Sequence, residues 1–574
     1  MRISERTPPI ADLAFGDSVD PLLRKIYAAR GVACEAELGR QLADLPSPAL
    51  MKGMGQAVSL LARSLRERRK ILVVGDFDAD GATSTALMML ALQAFGAENP
   101  GYLVPNRFEY GYGLTPEIVT LASQYSPDLI ITVDNGISSI DGVAAARQAG
   151  IEVLVTDHHL PGERLPDANA IVNPNQPGCE FPSKNLAGVG VAFYLLSALR
   201  GHLRDEGWFE ERGLAEPAMA NWLDLVALGT VADVVALDKL NRILVHQGLQ
   251  RVRAGRCRPG ISALLELANR QQERVVAADF GFAVGPRLNA AGRLDDMSLG
   301  IHCLLCNNLE EARDFARELD QLNADRRLIE TGMQREALEA VERLHLDESG
   351  LPWGLCLYDA QWHQGVVGLL ASRLKERYHR PVIAFAEGEG DSLKGSARSI
   401  PGFHIRDALD AVASHNPGLL SKFGGHAMAA GLSLDRTRLA DFCRAFDDEV
   451  RRQLNAEDLE EEILTDGELA ADRISLETAR LLRSAGPWGQ HFPEPLFRGE
   501  FTVVQSRQLS GKHLKFTLAT ARAGHLVDAI AFNVPEHQLS ANGERIELLY
   551  RLDVNQWRGQ ENPQLLIERI LSRC

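Results

Sequence analysis

The sequence predicts an α/β protein: a parallel-sheet domain, a long connecting helix, a second α/β domain and a C-terminal β-barrel. Three observations carry that reading. Between about Lys70 and Leu237, short β-branched runs alternate with helical stretches, as in a parallel sheet with crossover helices. From Leu309 to Gly350, apolar residues recur at spacings of three, four and seven through a charged segment, which fits a helix of ~35–40 residues. In the last ~75 residues, five strand-like runs with hairpin-like turns fit a small barrel of the OB type.

Taken in order, residues 1–45 contain Pro8, Pro9 and Pro21 and are expected to form an irregular N-terminal arm. The first α/β domain is placed at 46–245. Its strands are expected at Ile71–Val74, Leu129–Val133 and Val153–Val155, and its helices at Ala82–Phe95, Asp141–Ala149 and Val189–Leu199. Residues 246–348 read as a helical connector. Within it, the Gly/Pro/Arg-rich Gly281–Leu294 is expected to be a turn, and Phe315, Leu319, Leu322, Ile329, Met333, Val341 and Leu344 form the apolar stripe of the long helix. The second α/β domain is placed at 349–455, with strands at Leu355–Tyr358 and Val382–Phe385 and a helix at Val366–Lys375. Residues 456–574 comprise an acidic linker and the barrel, whose strands are expected at Phe501–Val504, Leu514–Leu518, Leu526–Phe532, Arg545–Leu552 and Gln564–Ile567.

Composition narrows the class. The 574 residues are 45% hydrophobic and 24% charged, which excludes a disordered chain or a fibre. The longest apolar stretch, Ala82–Phe95, is shorter than the ~20 residues of a membrane span. The opening Met-Arg-Ile-Ser-Glu-Arg lacks the apolar core of a signal peptide. Eight irregularly spaced cysteines point to a reducing, cytoplasmic setting, and Cys303 and Cys306 read as core thiols because no second pair follows at zinc spacing.

The net charge of -16 argues against a nucleic-acid partner only until the charges are located. Glu457–Glu468 holds seven carboxylates and no Lys or Arg, and reads as a solvated linker. Leu309–Gly350 holds twelve carboxylates against six Arg, and reads as a solvated strut. Together these account for -13, leaving -3 for the rest of the chain.

The chemistry-bearing residues gather where the strands are expected to end. The first strand runs into Gly-Asp-Phe-Asp-Ala-Asp-Gly, with Asp76, Asp78 and Asp80 inside five residues. One aspartate would suffice to cap the following helix. Three repel one another unless a cation is present. The absent twelfth-position Glu rules out an EF-hand. The second strand ends in Asp134-Asn135-Gly136 and the third in Thr156-Asp157-His158-His159. In an open parallel sheet, ligands collect at the carboxyl ends of the strands. A mixed Asp/His set suits Mn2+, Zn2+, Fe2+ or Mg2+, with Mn2+ the natural fit. Two ions sharing a carboxylate suit phosphoester hydrolysis. Neither G-x-x-x-x-G-K-[ST] nor a strand-linked G-x-G-x-x-G is present, which disfavours a P-loop enzyme and a dinucleotide dehydrogenase.

The Asp-Phe-Asp-Ala-Asp-Gly turn, the Val-Asp-Asn-Gly strand end and the Asp-His-His triplet resemble the DHH phosphoesterase superfamily. Further segments narrow the resemblance to its bacterial single-strand-specific exonucleases. They are Pro105-Asn106-Arg107 with Gly111-Tyr112-Gly113, Gly285 to Arg293, Trp362 to Gly365, Ser396 to Ser399, and Phe423 to His426. It extends over nearly the whole chain from about residue 65.

The resemblance implies an enzyme that uses Mn2+ or Mg2+ and degrades single-stranded DNA from the 5′ end to mononucleotides, in DNA repair and recombination. It implies Asp76, Asp78, Asp80, Asp134, His158 and Asp233 as ligands of two metal ions, with Asp134 the candidate bridge. It implies His159 over the scissile phosphate, with Asp157 orienting a metal-ligand histidine. It further implies a DHH-associated second domain and substrate contacts at Arg107, Arg287, Asn289, Ser396, Arg398, Gly424, Gly425 and His426, with His363 and Gln364 lining the same cleft. In the barrel, Lys512, Lys515, Phe516 and Trp557 are the candidate DNA contacts, cations for phosphates and aromatics for unpaired bases.

Two other readings stand beside this one. A relative acting on short RNA or cyclic dinucleotides would usually lack the barrel. An inactive replication scaffold would lack the carboxylates, and all are present. Expected partners are single-stranded DNA and a single-strand-binding protein or helicase that supplies it. No membrane association is expected, and the chain is expected to be a monomer.

Overall fold

The computed structural model describes every residue except 10–12, 107–109, 111, 344–350, 389, 510–512, 521–524, 533–541 and 574, and leaves the side chains of 340–343 and 573 undescribed. The chain forms two compact units. Among the described residues, no helix is long and apolar enough to cross a membrane.

The larger unit (residues 4–292, 296–319 and 464–574) contains a five-stranded sheet. Its strands are β1 (Ile71–Val74), β2 (Gly101–Leu103), β3 (Leu129–Val133), β4 (Glu152–Thr156) and β5 (Ala170–Val172), all parallel, in the order β2-β1-β3-β4-β5. The runs ILVV and LIITV are buried at every position because both faces of the sheet are covered. Helix α1 (Ala79–Ala94) is apolar all round, as a helix enclosed by neighbours must be. The chain moves from β1 outward to β2 and then back past β1 to β3. The β1/β3 boundary is therefore the topological switch point, where the loops diverge and leave a crevice. Strands β2 and β5 escape sequence detection because three residues are too few to show a period.

Helix α2 (Gly188–Asp205) packs on α1, β3 and β4, helix α3 (Leu223–Ala232) packs on α1 and α2, and α4 (Gly285–Leu294) follows a π-helical turn at Phe280–Val284. The expected turn at Gly281–Leu294 is therefore corrected to helix. Pro286 lies immediately after the π-helical turn, in a helical run that is unbroken from Ala277 to Leu294. Gly292 permits close packing: a Cβ there would lie 1.7 Å from the Phe77 carbonyl oxygen.

The irregular-arm expectation is also corrected. Pro21–Ala28 is a helix, with Asp20 accepting from Leu22 N and Pro21 at its first position. Ile26 and Tyr27 are buried, and the Tyr27 hydroxyl donates to the Ala485 carbonyl. The acidic run is solvated at Glu457, Asp458 and Glu460 but not at Asp466. Arg30 Nη1 and Nη2 bind the two Asp466 carboxylate oxygens at 2.6 and 3.0 Å, with both side chains 1% exposed.

The smaller unit comprises residues 1–3, 293–295 and 320–463. Helix α5 (Leu309–Arg343) supplies 320–343 to it. Its mixed sheet has the order β9-β10-β8-β7-β6, from β6 (Leu355–Tyr358), β7 (Val382–Glu387), β8 (Ser392–Arg398), β9 (Lys422–Gly425) and β10 (Ala429–Asp435). Only β6 and β7 pair in parallel. One face packs on Phe442 and Phe446, whose rings stack at 6.0 Å. The other packs on helix α6 (Val367–Tyr378) and on Met333 and Ala337 of α5.

The long helix is thus not a solvated strut throughout. Asn323, Arg326 and Glu330 are buried, with Arg326 Nη1 and Arg373 Nε on Glu330 at 2.7 and 2.9 Å. A charged helical face reads as solvent-facing in sequence because the Arg373 partner comes from a different helix.

Strands β11 (Phe497–Leu509), β12 (His513–Thr520), β13 (Leu526–Phe532), β14 (Arg545–Trp557) and β15 (Gln560–Arg573) close a barrel in the order β11-β12-β13-β15-β14. Phe501, Leu514, Phe516, Leu518 and Tyr550 fill it. Within the larger unit, Glu561 of β15 accepts from Arg274 and from Arg480 Nε, the latter at 2.9 Å, and so fixes the barrel.

Candidate metal centre

Three strand ends converge on the switch point, and each is shaped by its own backbone. After β1, the Asp78 carboxylate caps α1, accepting from Asp80 N and Gly81 N at 2.9 and 3.0 Å. This places Asp76 just before the helix and Asp80 in its first turn. Asp80 in turn accepts from Gly188 N and Val189 N at the start of α2, at 2.6 and 3.0 Å.

After β3, Asp134 adopts the left-handed region at φ +63°, a conformation aspartate tolerates better than most residues. Asn135 holds the turn, with its amide donating to Val74 O at the end of β1 and to Val133 O. After β4, one Asp157 oxygen accepts from His158 N, His159 N and His159 Nδ1, and the other from Ile137 N. Asp233 arrives from elsewhere, at the C-terminal end of α3.

The ligand atoms form three overlapping groups, each with all its atoms within 4.8 Å: Asp76, Asp78 and Asp134; Asp80, His158 and Asp233; and Asp134, His158 and His159. His158 Nε2 stands 3.2 Å from Asp134 Oδ1 and 3.6 Å from Asp233 Oδ2. Both of those carboxylate oxygens are buried without a hydrogen bond.

Burial raises the pKa of Asp134 and Asp233 well above the carboxylate range, and their aspartate neighbours raise it further. Burial and then Asp78 push Asp80 up to about 7, against the pull of the Gly188 and Val189 amides. Desolvated carboxylates so close together are what a divalent cation neutralises. The donor set therefore fits metal ions, and Asp134 belongs to two of the three groups.

His159 differs. Burial lowers its pKa, but the Asp157 hydrogen bond and charge, then Asp76 and Asp78, outweigh this and raise it to about 9. Burial likewise opposes ionisation of Asp157, yet His159, His158 and the Ile137 amide hold its pKa below the usual value. Asn173 and Asn175 donate to the backbone carbonyls of His159 and His158, fixing the loop. Sequence reasoning misses these two asparagines, since nothing in an Asn-Pro-Asn run distinguishes an anchor from a turn.

Tyr112 has no role in the sequence beyond its place in a motif. Its hydroxyl reaches Asp134 O at 3.2 Å and lies 3.2 and 3.4 Å from the His159 ring nitrogens. Burial of that end and the surrounding aspartates raise the phenol pKa, although the residue as a whole is 47% exposed.

The expected substrate residues fall in several places. Arg107 and Lys512 lie outside the described residues. Arg287 is buried and donates to Ala283 O within its own helical segment. The Asn289 side-chain oxygen accepts from Ala79 N at 2.7 Å and so anchors the start of α1.

In the smaller unit, Ser396 and Arg398 on β8 face Gly368 in the first turn of α6; a Cβ there would lie 3.5 Å from Ser396 Oγ and 2.9 Å from Arg398 Nη2. His363 Nδ1 accepts from Gly365 N, while Gln364 donates to Glu387 O. Gly424 and Gly425 end β9, where Gly425 has φ +144°, and His426 N donates to Ala429 O.

In the barrel, Trp557 is 69% exposed at a hairpin tip and Lys515 pairs with Asp528 at 2.7 Å. Phe516 is corrected: it is fully buried in the barrel interior and presents no face to a base.

The sequence matches family models for the DHH family N-terminal domain at residues 70–230, the DHHA1 domain at 353–452 and the RecJ OB domain at 465–569. It is 57% identical over 566 residues to the single-stranded-DNA-specific exonuclease RecJ of Dickeya dadantii, covering 98% of each chain. It is 56% identical over 551 residues to the protein of that name from Escherichia coli, covering 96% of each. The crystal structure of Thermus thermophilus RecJ in complex with Mn2+ superposes with a TM-score of 0.79 at 29% identity, over 100% of this chain and 80% of that one. With this similarity spanning all three modules and nearly the full length, the chain belongs to the RecJ family of single-stranded-DNA-specific exonucleases.

Proposed function

We propose that this protein is a metal-dependent exonuclease that degrades single-stranded DNA from the 5′ end to mononucleotides, in DNA repair and recombination. The observation that carries the proposal is the set of three overlapping ligand groups, linked through Asp134 and His158, in a chain whose relatives are named for that activity.

In this reading Asp76, Asp78 and Asp134 would hold one divalent ion and Asp80, His158 and Asp233 the other, with Asp134 the candidate for a shared ligand. Mn2+ suits the mixed carboxylate–imidazole donors, and Mg2+ the carboxylate-rich side. When bound, the ions supply Lewis-acid stabilisation of phosphoryl oxygens and lower the pKa of water.

The chain's own residues do the rest. Asp157 fixes the His159 ring through Nδ1 and favours its charged form, so that the Nε2 proton can face charge developing on the phosphate. Ser396 and Arg398, beside the first turn of α6, offer a hydroxyl and a guanidinium, a set suited to a phosphate of the strand. Gly424, Gly425, His426, His363, Arg287 and Arg107 are further proposed substrate contacts. Trp557 offers a stacking face for an unpaired base and Lys512 and Lys515 offer positive charge, with the barrel acting as the second grip on the strand.

A cytoplasmic monomer supplied by a helicase or a single-strand-binding protein completes the proposal. The test is incubation with 5′-labelled single-stranded DNA, duplex DNA, short RNA and a cyclic dinucleotide, with Mn2+ or with EDTA. Metal-dependent mononucleotide release from the single strand alone is expected, and its absence would overturn the reading. Retention of activity in Asp134→Ala would overturn the site assignment.

A further inference from the structure

We propose that Tyr112 is a positioning residue for the reaction, acting through His159. The inference rests on the exonuclease reading above and goes beyond it. The Tyr112 hydroxyl donates to the Asp134 carbonyl at 3.2 Å, and that carbonyl belongs to a residue in the left-handed region. With its hydrogen committed there, the phenol oxygen turns its lone pairs toward His159, 3.2 and 3.4 Å from the two ring nitrogens. Near-equal distances to Nδ1 and Nε2 place the oxygen against the face of the imidazole, because in the ring plane the same distances would drive it into Cε1. Nδ1 meanwhile engages Asp157 at 2.8 Å. The ring is thereby held in two ways, by a carboxylate at Nδ1 and by a phenol oxygen against its face.

The tyrosine ring is itself seated. It meets Phe77 edge-on at 6.1 Å and His159 edge-on at 5.7 Å. Phe77 lies between Asp76 and Asp78, so one side chain touches all three strand ends that build the site.

Tyr112→Phe preserves the ring contacts and removes the hydroxyl, which separates positioning from packing. Steady-state kinetics of the full-length protein on 5′-labelled single-stranded DNA, at saturating Mn2+, should show kcat reduced ~10-fold, the scale on which loss of an orienting partner acts. KM should stay within about twofold and the melting temperature should be unchanged. In a His159→Gln background the same substitution should cost little more, because both changes remove one function.

A raised KM with kcat retained would mean that Tyr112 contacts substrate, and would overturn the proposal. So would full additivity with His159→Gln, or no effect at all. If the His159→Gln protein is too slow to measure, the kcat-against-KM split decides alone. A wild-type protein inactive on single-stranded DNA would sink the functional reading, whereas an active wild type with an equally active Tyr112→Phe would sink only the role of Tyr112.

Discussion

Two regions of the larger unit bury aspartates, and they solve the problem in opposite ways. Asp466 meets Arg30 in a bidentate pair and also accepts from Leu496 N. Its charge is matched by the protein itself, so the seam is complete as folded. At the switch point, Asp80, Asp134 and Asp233 crowd together, where burial first and then neighbouring aspartates oppose their ionisation. Such a cluster is destabilising until something outside the chain supplies positive charge. A buried acid with an arginine marks architecture here, and buried acids with one another mark chemistry.

The same isosteric change should therefore act in opposite senses at the two sites. Asp134→Asn should lower activity by more than the ~10–100-fold expected for an outer partner of a metal site. It should also leave the metal-free protein as stable or more so, since it removes a carboxyl whose ionisation burial and neighbouring aspartates oppose, and asparagine accepts φ +63°. Asp466→Asn should do the reverse. Loss of one partner of a buried pair costs roughly 3–5 kcal/mol of stability, with activity at low temperature retained. Thermal melts in EDTA alongside exonuclease rates would break the comparison if the two variants behaved alike.

Asp157→Asn comes next. It keeps the shape but weakens the hold on His159, and a ~10–100-fold loss of kcat with little change in Mn2+ affinity is expected. Equal losses of both would move Asp157 into the metal-binding set.

The third expectation concerns pH. Asp80 has its folded-state pKa raised to about 7, so its contribution to stability is present at low pH and lost as pH rises through that value in metal-free protein. Metal binding must displace that proton, so the rise in melting temperature on adding Mn2+ should grow with pH from the acid side up to that value. A metal-induced shift that is flat with pH would contradict it.

The smallest effect is expected in the barrel. Trp557→Ala should weaken single-strand binding by about 1–3 kcal/mol, one stacked base, without changing kcat on a short substrate. Phe516→Leu should change barrel stability and leave binding alone.

Much of the site is legible in the sequence. Asp76, Asp78, Asp80, Asp134, Asp157 and the two histidines announce themselves because a parallel sheet puts every strand's carboxyl end on one edge, so residues distant in sequence become neighbours by topology alone. Asp233 carries no such mark. It ends a helix, and only the family resemblance singles it out. Pro21 and the glycines of 281–294 mislead, because the same residues that break helices also start them or let them pack closely.

Local periodicity is enough to specify the alternation of strands and helices, the acidic strand ends and the five-stranded barrel, and an ordered set of motifs is enough to specify the family. Which charges are matched depends instead on the folded chain. Arg30 finds Asp466 across more than four hundred residues, and Phe516 turns inward while Trp557 turns outward. Tyr112 joins three strand ends through a single hydroxyl and ring. Partner choice over such distances depends on where the chain folds back in space, and no local pattern encodes it.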